Sequence, residues 1–238
     1  MSVKVGIFTD PHCSLREIST KTRRPVLSLG KIKRIMDIFK AEGVEYVLCL
    51  GDLVDDCGGE EATACMLKII KDLVGSYGIP FYSILGNHDC ACFVKDKLHE
   101  ILDMPAEPCS MRVGDSLFVF LDANFYDDGT CYCPEEHLWT NSAIPMEQLE
   151  FYAKEWQSTD AENVFVFMHE NADPEVEHRH IIRNSAEVRA ELAKCPKLKG
   201  VYQGHYHWGH ETVIDGIPYH TLPAVCEGEN MPYVIFEA

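Results

Sequence analysis

The first ninety residues switch back and forth between two hydrophobic periods, and that alternation leaves few folds open. Residues 3–9 alternate as a strand, and two further apolar runs span 44–50 and 81–85. Between the first two runs, Ile32, Ile35, Met36 and Phe39 recur at helical spacing, with Gly43 as the stop. Between the second and third, Ala62, Met66, Ile69, Ile70 and Leu73 mark one face of another helix, closed by Gly78 and Pro80. Strand–helix–strand–helix–strand predicts parallel crossover units and an α/β fold. The intervening segment 13–26 is polar and basic and reads as loop.

The rest of the chain supplies further elements. A short helix is expected over 93–102, then a hairpin of 110–113 and 117–121 turning at Gly114-Asp115. Residues 124–145 are irregular and long for a connection, so they read as either a functional lid or a disordered excursion. Helices follow over 146–156 and 184–194, strands over 163–168 and 199–203, and tail strands near 211–214, 217–221 and 232–237, the first two joined by an Asp215-Gly216 turn. No internal repeat or domain boundary is visible in the 238 residues, so one domain is expected.

Five strands end in residues that bind metals. The ends read Asp10-Pro11-His12, Gly51-Asp52, Gly86-Asn87-His88-Asp89, His169 and Gly204-His205-Tyr206-His207. A lone Asp at a strand end is usually a turn former, and a lone His is usually a surface or satisfied core residue. Five such ends together need another explanation. Parallel sheets present their carboxyl-terminal ends to ligands, so these residues should converge. Asp10 and His12 are two apart, as are His205 and His207, so on extended backbone each pair faces one way. Carboxylate and imidazole donors suit Mn, Fe or Zn, and a carboxylate such as Asp52 can bridge two ions.

These motifs, in this order, resemble those of calcineurin-like metallophosphoesterases, and the resemblance runs from residue 10 to 207. It implies a four-layer αββα sandwich, two mixed β-sheets flanked by helices, and two divalent or trivalent metal ions. It implies Asp10, His12 and His207 on one ion, Asn87, His169 and His205 on the other, and Asp52 bridging. It also implies attack by a metal-bridging hydroxide, with His88 as acid toward the leaving oxygen or as a charge stabiliser, and Asp89 orienting it. Asn184, at a helix start after His169, either points at the substrate alongside Asn87 and His88 or simply caps the helix.

The branch is narrower. Serine/threonine protein phosphatases carry Gly-Asp-x-Val-Asp-Arg-Gly and Gly-Asn-His-Glu. Here Asp56 stands at the Arg position and Asp89 at the Glu. The Gly51-Asp52-Leu53-Val54-Asp55-Asp56 run resembles class III cyclic nucleotide phosphodiesterases and ADP-ribose/CDP-alcohol diphosphatases. A small nucleotide-like phosphodiester or diphosphate is the implied substrate, with a phosphomonoester or a non-catalytic protein-binding scaffold as alternatives.

Charge bears on partners. The net charge is −17, from 21 basic and 38 acidic residues, which disfavours nucleic acid and anionic membranes. Val3, Val5, Ile7 and Phe8 are too few for a secretion signal, and eleven cysteines without a disulfide pattern fit reduced thiols, so a cytoplasmic location is expected. Cys90-x-Cys92 and Cys131-x-Cys133 read as free thiols rather than a structural zinc site. Tyr126, Tyr132 and Trp139 either stack on a base or form a small core. His178 and His180 read as solvated, and His210 and His220 as structural.

Overall fold

The computed structural model describes residues 2–238. In chain order it contains β1 (Lys4–Phe8), α1 (Pro25–Ala41), β2 (Tyr46–Cys49), α2 (Glu60–Gly75), β3 (Phe81–Ser83), α3 (Asn87–Cys92), α4 (Lys95–Leu102), β4 (Cys109–Val113) and β5 (Ser116–Phe120). Then follow α5 (Met146–Ser158), β6 (Asn163–Phe167), α6 (Ser185–Leu192), β7 (Leu198–Gln203), β8 (His210–Ile214), β9 (Ile217–Thr221) and β10 (Val234–Glu237). The strands form two mixed sheets, ordered β10-β1-β2-β3 and β4-β5-β6-β7-β9-β8. β1, β2 and β3 are parallel neighbours, as are β5, β6, β7 and β9, while β10, β4 and β8 run antiparallel to theirs.

Strand parity builds the layers. Val5 and Ile7 of β1 enter the core between the sheets, where they meet Leu48, Tyr82, Phe118, Phe120, Phe165 and Phe167. Phe8, Val47 and Cys49 face the other way, onto Ile32, Ile35, Met36, Phe39, Leu67 and Ile70 of α1 and α2. On the second sheet, Leu117, Val119, Val164 and Val166 face Leu149, Tyr152, Val188 and Leu192 of α5 and α6. A strand reverses its side chains at every residue, so the continuous apolar runs give each sheet two buried faces and the molecule four layers.

Two local expectations change. The buried face of α2 is Thr63, Met66, Leu67, Ile70 and Val74, while Ala62 and Ile69 lie outside it and are exposed. No helix was expected before residue 93, yet Asn87-His88-Asp89 is the first turn of α3, with Gly86 as its N-cap. No helix among the described residues is long and apolar enough to cross a membrane.

Residues 124–145 are held by their own backbone bonds, including Tyr126 N–H to Thr130 and Ala143 N–H to Phe125, and contain a 3-10 turn at Trp139–Asn141. The tail crosses beneath the strand ends. Val225 and Cys226 donate to the carbonyls of Thr9 and Asp10, and the buried Lys31 ammonium donates to the carbonyls of Val225, Glu227 and Gly228.

Candidate metal centre

The five strand ends converge on one side of the two sheets, and the backbone there is strained. Among the described residues, six non-glycine residues have positive φ, and Asp10, His12, Asp52 and His205 are four of them. Such conformations cost roughly 1–3 kcal/mol each and persist where surroundings over-determine them. Asp and His tolerate this region better than most residues, because a short polar side chain can bond locally. The glycines of the motifs serve close approach. A Cβ on Gly86 would collide with the Asp52 carboxylate, and one on Gly204 with the Thr9 hydroxyl.

Backbone donors aim the carboxylates. The Asp52 Oδ1 accepts from the His88 N–H at 2.8 Å, which turns Oδ2 inward, 3.4 Å from His12 Nε2 and 3.3 Å from His169 Nε2. Asp10 Oδ2 accepts from the Thr9 hydroxyl and the His205 N–H, leaving Oδ1 3.4 Å from His207 Nε2 and 3.7 Å from His12 Nε2.

The outer ring nitrogens are held as firmly. His169 Nδ1 lies 2.6 Å from the Leu50 carbonyl, His12 Nδ1 2.9 Å from Asp55, and His207 Nδ1 2.7 Å from Glu227. A carbonyl oxygen only accepts, so His169 Nδ1 carries a proton and Nε2 is the nitrogen left to offer a lone pair to a cation; the carboxylates hold Nδ1 in the same role at His12 and His207.

Four of the inward atoms have no partner. Asp10 Oδ1, Asn87 Oδ1, His169 Nε2 and His205 Nε2 are buried without a hydrogen bond. A buried unsatisfied polar atom costs about 1–3 kcal/mol, so four converging on one point mark a place built for something else. Asp10, His12 and Asp52 form one group of donor atoms close enough for a single ion, and Asp52, His169 and His205 another, so Asp52 belongs to both. The electrostatics agree. Burial works against a charge on His12, yet Asp52 and its neighbours pull its pKa up to about 10. A cluster that draws in protons so strongly offers the same attraction to a metal cation. The residues present fit two metal ions.

The side chain beside His88 is Asp55, not Asp89. His88 Nδ1 lies 2.7 Å from Asp55 Oδ1, the same oxygen that meets His12. Asp89 is taken up by backbone: it accepts from the Gly86 N–H at 3.0 Å and the Val54 N–H at 3.2 Å, closing the α3 cap and tying it to the segment after β2. Burial, then the Asp52 charge, pushes its pKa up to about 7. The Asp-for-Glu difference at this position therefore concerns a buried turn and not a substrate contact.

Asn184 is also placed elsewhere. Its Oδ1 accepts from the Ile144 N–H and its Nδ2 donates to the Ile144 carbonyl, so it neither faces the cluster nor caps α6 with its side chain. It lines a separate cavity of about 430 Å³ with Tyr126 and Arg183.

Three residues from outside the strand ends join the site, and of these only Trp139 was a sequence candidate, as a stacking residue. Arg23, Trp139 and His180 line a cavity of about 120 Å³ together with Asp52, Asn87, His88, His205 and His207. Arg23 comes from the basic loop, its Nη2 3.3 Å from His207 Nε2. His180 was expected to be solvated, yet its ring packs 5.2 Å from His205 and 5.3 Å from Trp139. Of the other insertion aromatics, Tyr132 is buried in the core beside α1 and α2, and Tyr126 packs on it. Asp55 carried a sequence signal, three residues after Asp52 inside the motif; Arg23 and His180 carried none.

The family model described as calcineurin-like phosphoesterase matches residues 3–209. A probable cyclic nucleotide phosphodiesterase of Fibrobacter succinogenes is 27% identical over 216 residues, covering 86% of this chain and 73% of that protein. The serine/threonine-protein phosphatase CPPED1 of Danio rerio is 26% identical over 188 residues, covering 72% of this chain and 57% of its own length. In fold, the chain matches a dimetal phosphatase crystal structure from Danio rerio with a TM-score of 0.82 at 18% identity, over 98% of this chain and 91% of that one.

Proposed function

We propose that this chain, which belongs to the calcineurin-like phosphoesterase family, hydrolyses a small nucleotide-like phosphodiester or diphosphate at a two-metal centre. The observation that carries the reading is the set of buried, unpartnered donors Asp10 Oδ1, Asn87 Oδ1, His169 Nε2 and His205 Nε2 around a shared Asp52. Asp10, His12 and His207 would hold one ion and Asn87, His169 and His205 the other, with Asp52 shared by both sets. Bound ions of this kind activate water and offset charge on the phosphoryl oxygens; Mn, Fe or Zn suits the donors.

The chain's own groups supply the rest. Asp55 fixes the His88 ring through Nδ1, which leaves Nε2 to donate a proton to the leaving oxygen. Asn87 is a neutral amide donor that limits negative charge in the cluster. We read residues 1–238 as one domain and 124–145 as its lid, with Trp139 reaching the cavity.

A phosphomonoesterase is the second reading, and Arg23 favours it. Asp56, at the position of a phosphatase arginine, points to solvent and accepts from the Gly58 and Gly59 N–H groups. A guanidinium is instead brought to the cavity over the cluster by Arg23, and a guanidinium suits a dianion.

Manganese-loaded protein assayed on bis-p-nitrophenyl phosphate and p-nitrophenyl phosphate separates the two. Higher kcat/KM on the diester is expected; preference for the monoester would overturn the first reading in favour of the second. His88→Ala should lower kcat by about 10²–10⁴ with little change in metal content, whereas Asn87→Ala should chiefly lower metal content.

A further inference from the structure

We infer that the loop before α1 forms a subsite for a negatively charged leaving group, with Arg23 as the residue that selects it. The inference rests on the phosphohydrolase reading and narrows its substrate to one that carries a second phosphoryl group, on the side that departs.

His88 stands between two cavities. One is the cavity of about 120 Å³ over the Asp and His cluster, with room for little more than a phosphoryl group. The other, about 410 Å³, shares the His88 wall and is lined by Arg16, Ser19, Thr20, Arg23 and His137 among others. Arg23 and His88 line both. An acid that protonates the leaving oxygen must face the leaving group, so the larger cavity is where that group lies.

Its walls indicate what fits. They offer two guanidinium groups and two hydroxyls, and Ala91 and Cys92 are the apolar contributors. Neither Trp nor Tyr nor Phe lines it, and the planes it does offer, two guanidinium groups and the His88 and His137 rings, can carry positive charge and so favour an anion. The acids present are already engaged. Asp55 is bound by His12 and His88, Asp56 by the Gly58 and Gly59 N–H groups, and Glu227, just outside, by His207 at 2.7 Å, its contact with Arg23 being looser at 3.9 Å. The Arg16–Asp56 contact, 3.6 Å between half-exposed groups, is weak enough for an anion to replace. In a chain with net charge −17, an anionic leaving group needs such local positive charge.

Arg23 is also held in place. Its backbone forms an antiparallel bridge with Glu227, while the Gly228 N–H donates to Thr22 and the Arg24 N–H to Cys226. Cys226 in turn donates to the Asp10 carbonyl, so the same strap carries Arg23 and closes over a metal-ligand strand end.

The reaction balances as hydrolysis. Water adds its oxygen to the phosphorus and releases a proton to solvent. The bond to the bridging oxygen breaks, its electron pair stays on that oxygen, and the His88 proton neutralises it. The products are a nucleoside monophosphate and a phosphate monoester, and the latter is what Arg23 and Arg16 hold.

The test compares two substrates attacked at the same kind of phosphorus: the p-nitrophenyl ester of thymidine 5′-monophosphate and a thymidine 5′-diphosphate sugar. On manganese-loaded protein, Arg23→Ala should lower kcat/KM for both substrates, because Arg23 also lines the cavity over the cluster, and for the diphosphate by a further factor of about 10–100, the worth of a charge-assisted hydrogen bond. Glucose 1-phosphate should inhibit aryl-ester hydrolysis competitively, and Arg16→Ala should raise its Ki. Equal losses on both substrates, or inhibition unchanged by Arg16→Ala, would overturn the subsite while leaving the phosphohydrolase intact. If the loaded protein turns over neither substrate, the functional reading fails instead. Calorimetry of glucose 1-phosphate then decides the subsite alone: binding lost on Arg23→Ala supports it, and binding that is absent or unaltered refutes it.

Discussion

At the scale of single residues, the centre depends on side chains that would touch no metal. Asp55 is the clearest case, because one of its oxygens holds both His12 and His88. Burial works to raise its pKa, but hydrogen bonds to the two histidines outweigh that and hold it well below the usual carboxylate range. Asp55→Asn should therefore impair metal binding and turnover together, with metal affinity down by about 10–100-fold. Asp89→Asn should behave differently: it weakens the cap at Gly86 and lowers the melting temperature, while the metal content of the folded protein is kept. Metal titration and thermal melts of both variants check the contrast. Exchanging Asp55 for Asp89 as the partner of His88 also shows what sequence motifs leave open. Gly86-Asn87-His88-Asp89 puts His88 and Asp89 side by side in the chain, but α3 turns them in different directions, and a helical turn separates adjacent residues that a loop would leave together.

At the scale of elements, the strand ends were legible because hydrophobic period and ligand residue coincide at each. β1, β2, β3, β6 and β7 were all found from apolar runs, and each was followed by Asp, Asn or His. What pattern reading missed came from irregular segments. Arg23 lies in a loop without period, and reaches the site only because the tail bonds to that loop some two hundred residues later. His180 and Trp139 meet because the insertion folds back on the segment after β6. Such contacts are long-range and leave no local trace. Trp139→Ala should raise KM for a nucleotide substrate with little effect on metal content, if the insertion acts as the lid. A different element-level dependence concerns Gly6 in β1. A Cβ there would stand 2.6 Å from the Phe39 ring of α1, so Gly6→Ala should destabilise the fold by about 1–3 kcal/mol, measured by chemical denaturation.

At the scale of the whole molecule, two sheets pressed face to face bring β1–β3 and β6–β7 to a common end, and strand parity supplies the buried faces that hold them there. The four-layer arrangement was legible in the order of elements and the motif resemblance together; the pairing of β10 with β1, which closes the first sheet, was not. The same compactness buries acids. Burial, then the Asp122 charge, raises the Glu107 pKa to about 8. A carboxyl with a raised folded-state pKa contributes stability that is fully present below its unfolded value and is lost as pH rises toward the folded one. Melting temperature should accordingly fall between about pH 5 and pH 8, and Glu107→Gln should reduce that fall. Metal should act in the opposite direction, since its ligands bind as their deprotonated forms and affinity grows with pH. The two-ion centre is tested by the stoichiometry of manganese binding, measured by calorimetry at neutral pH. The native protein should bind two ions per chain and Asn87→Ala one. A single ion, or none, in the native chain would contradict a two-ion centre.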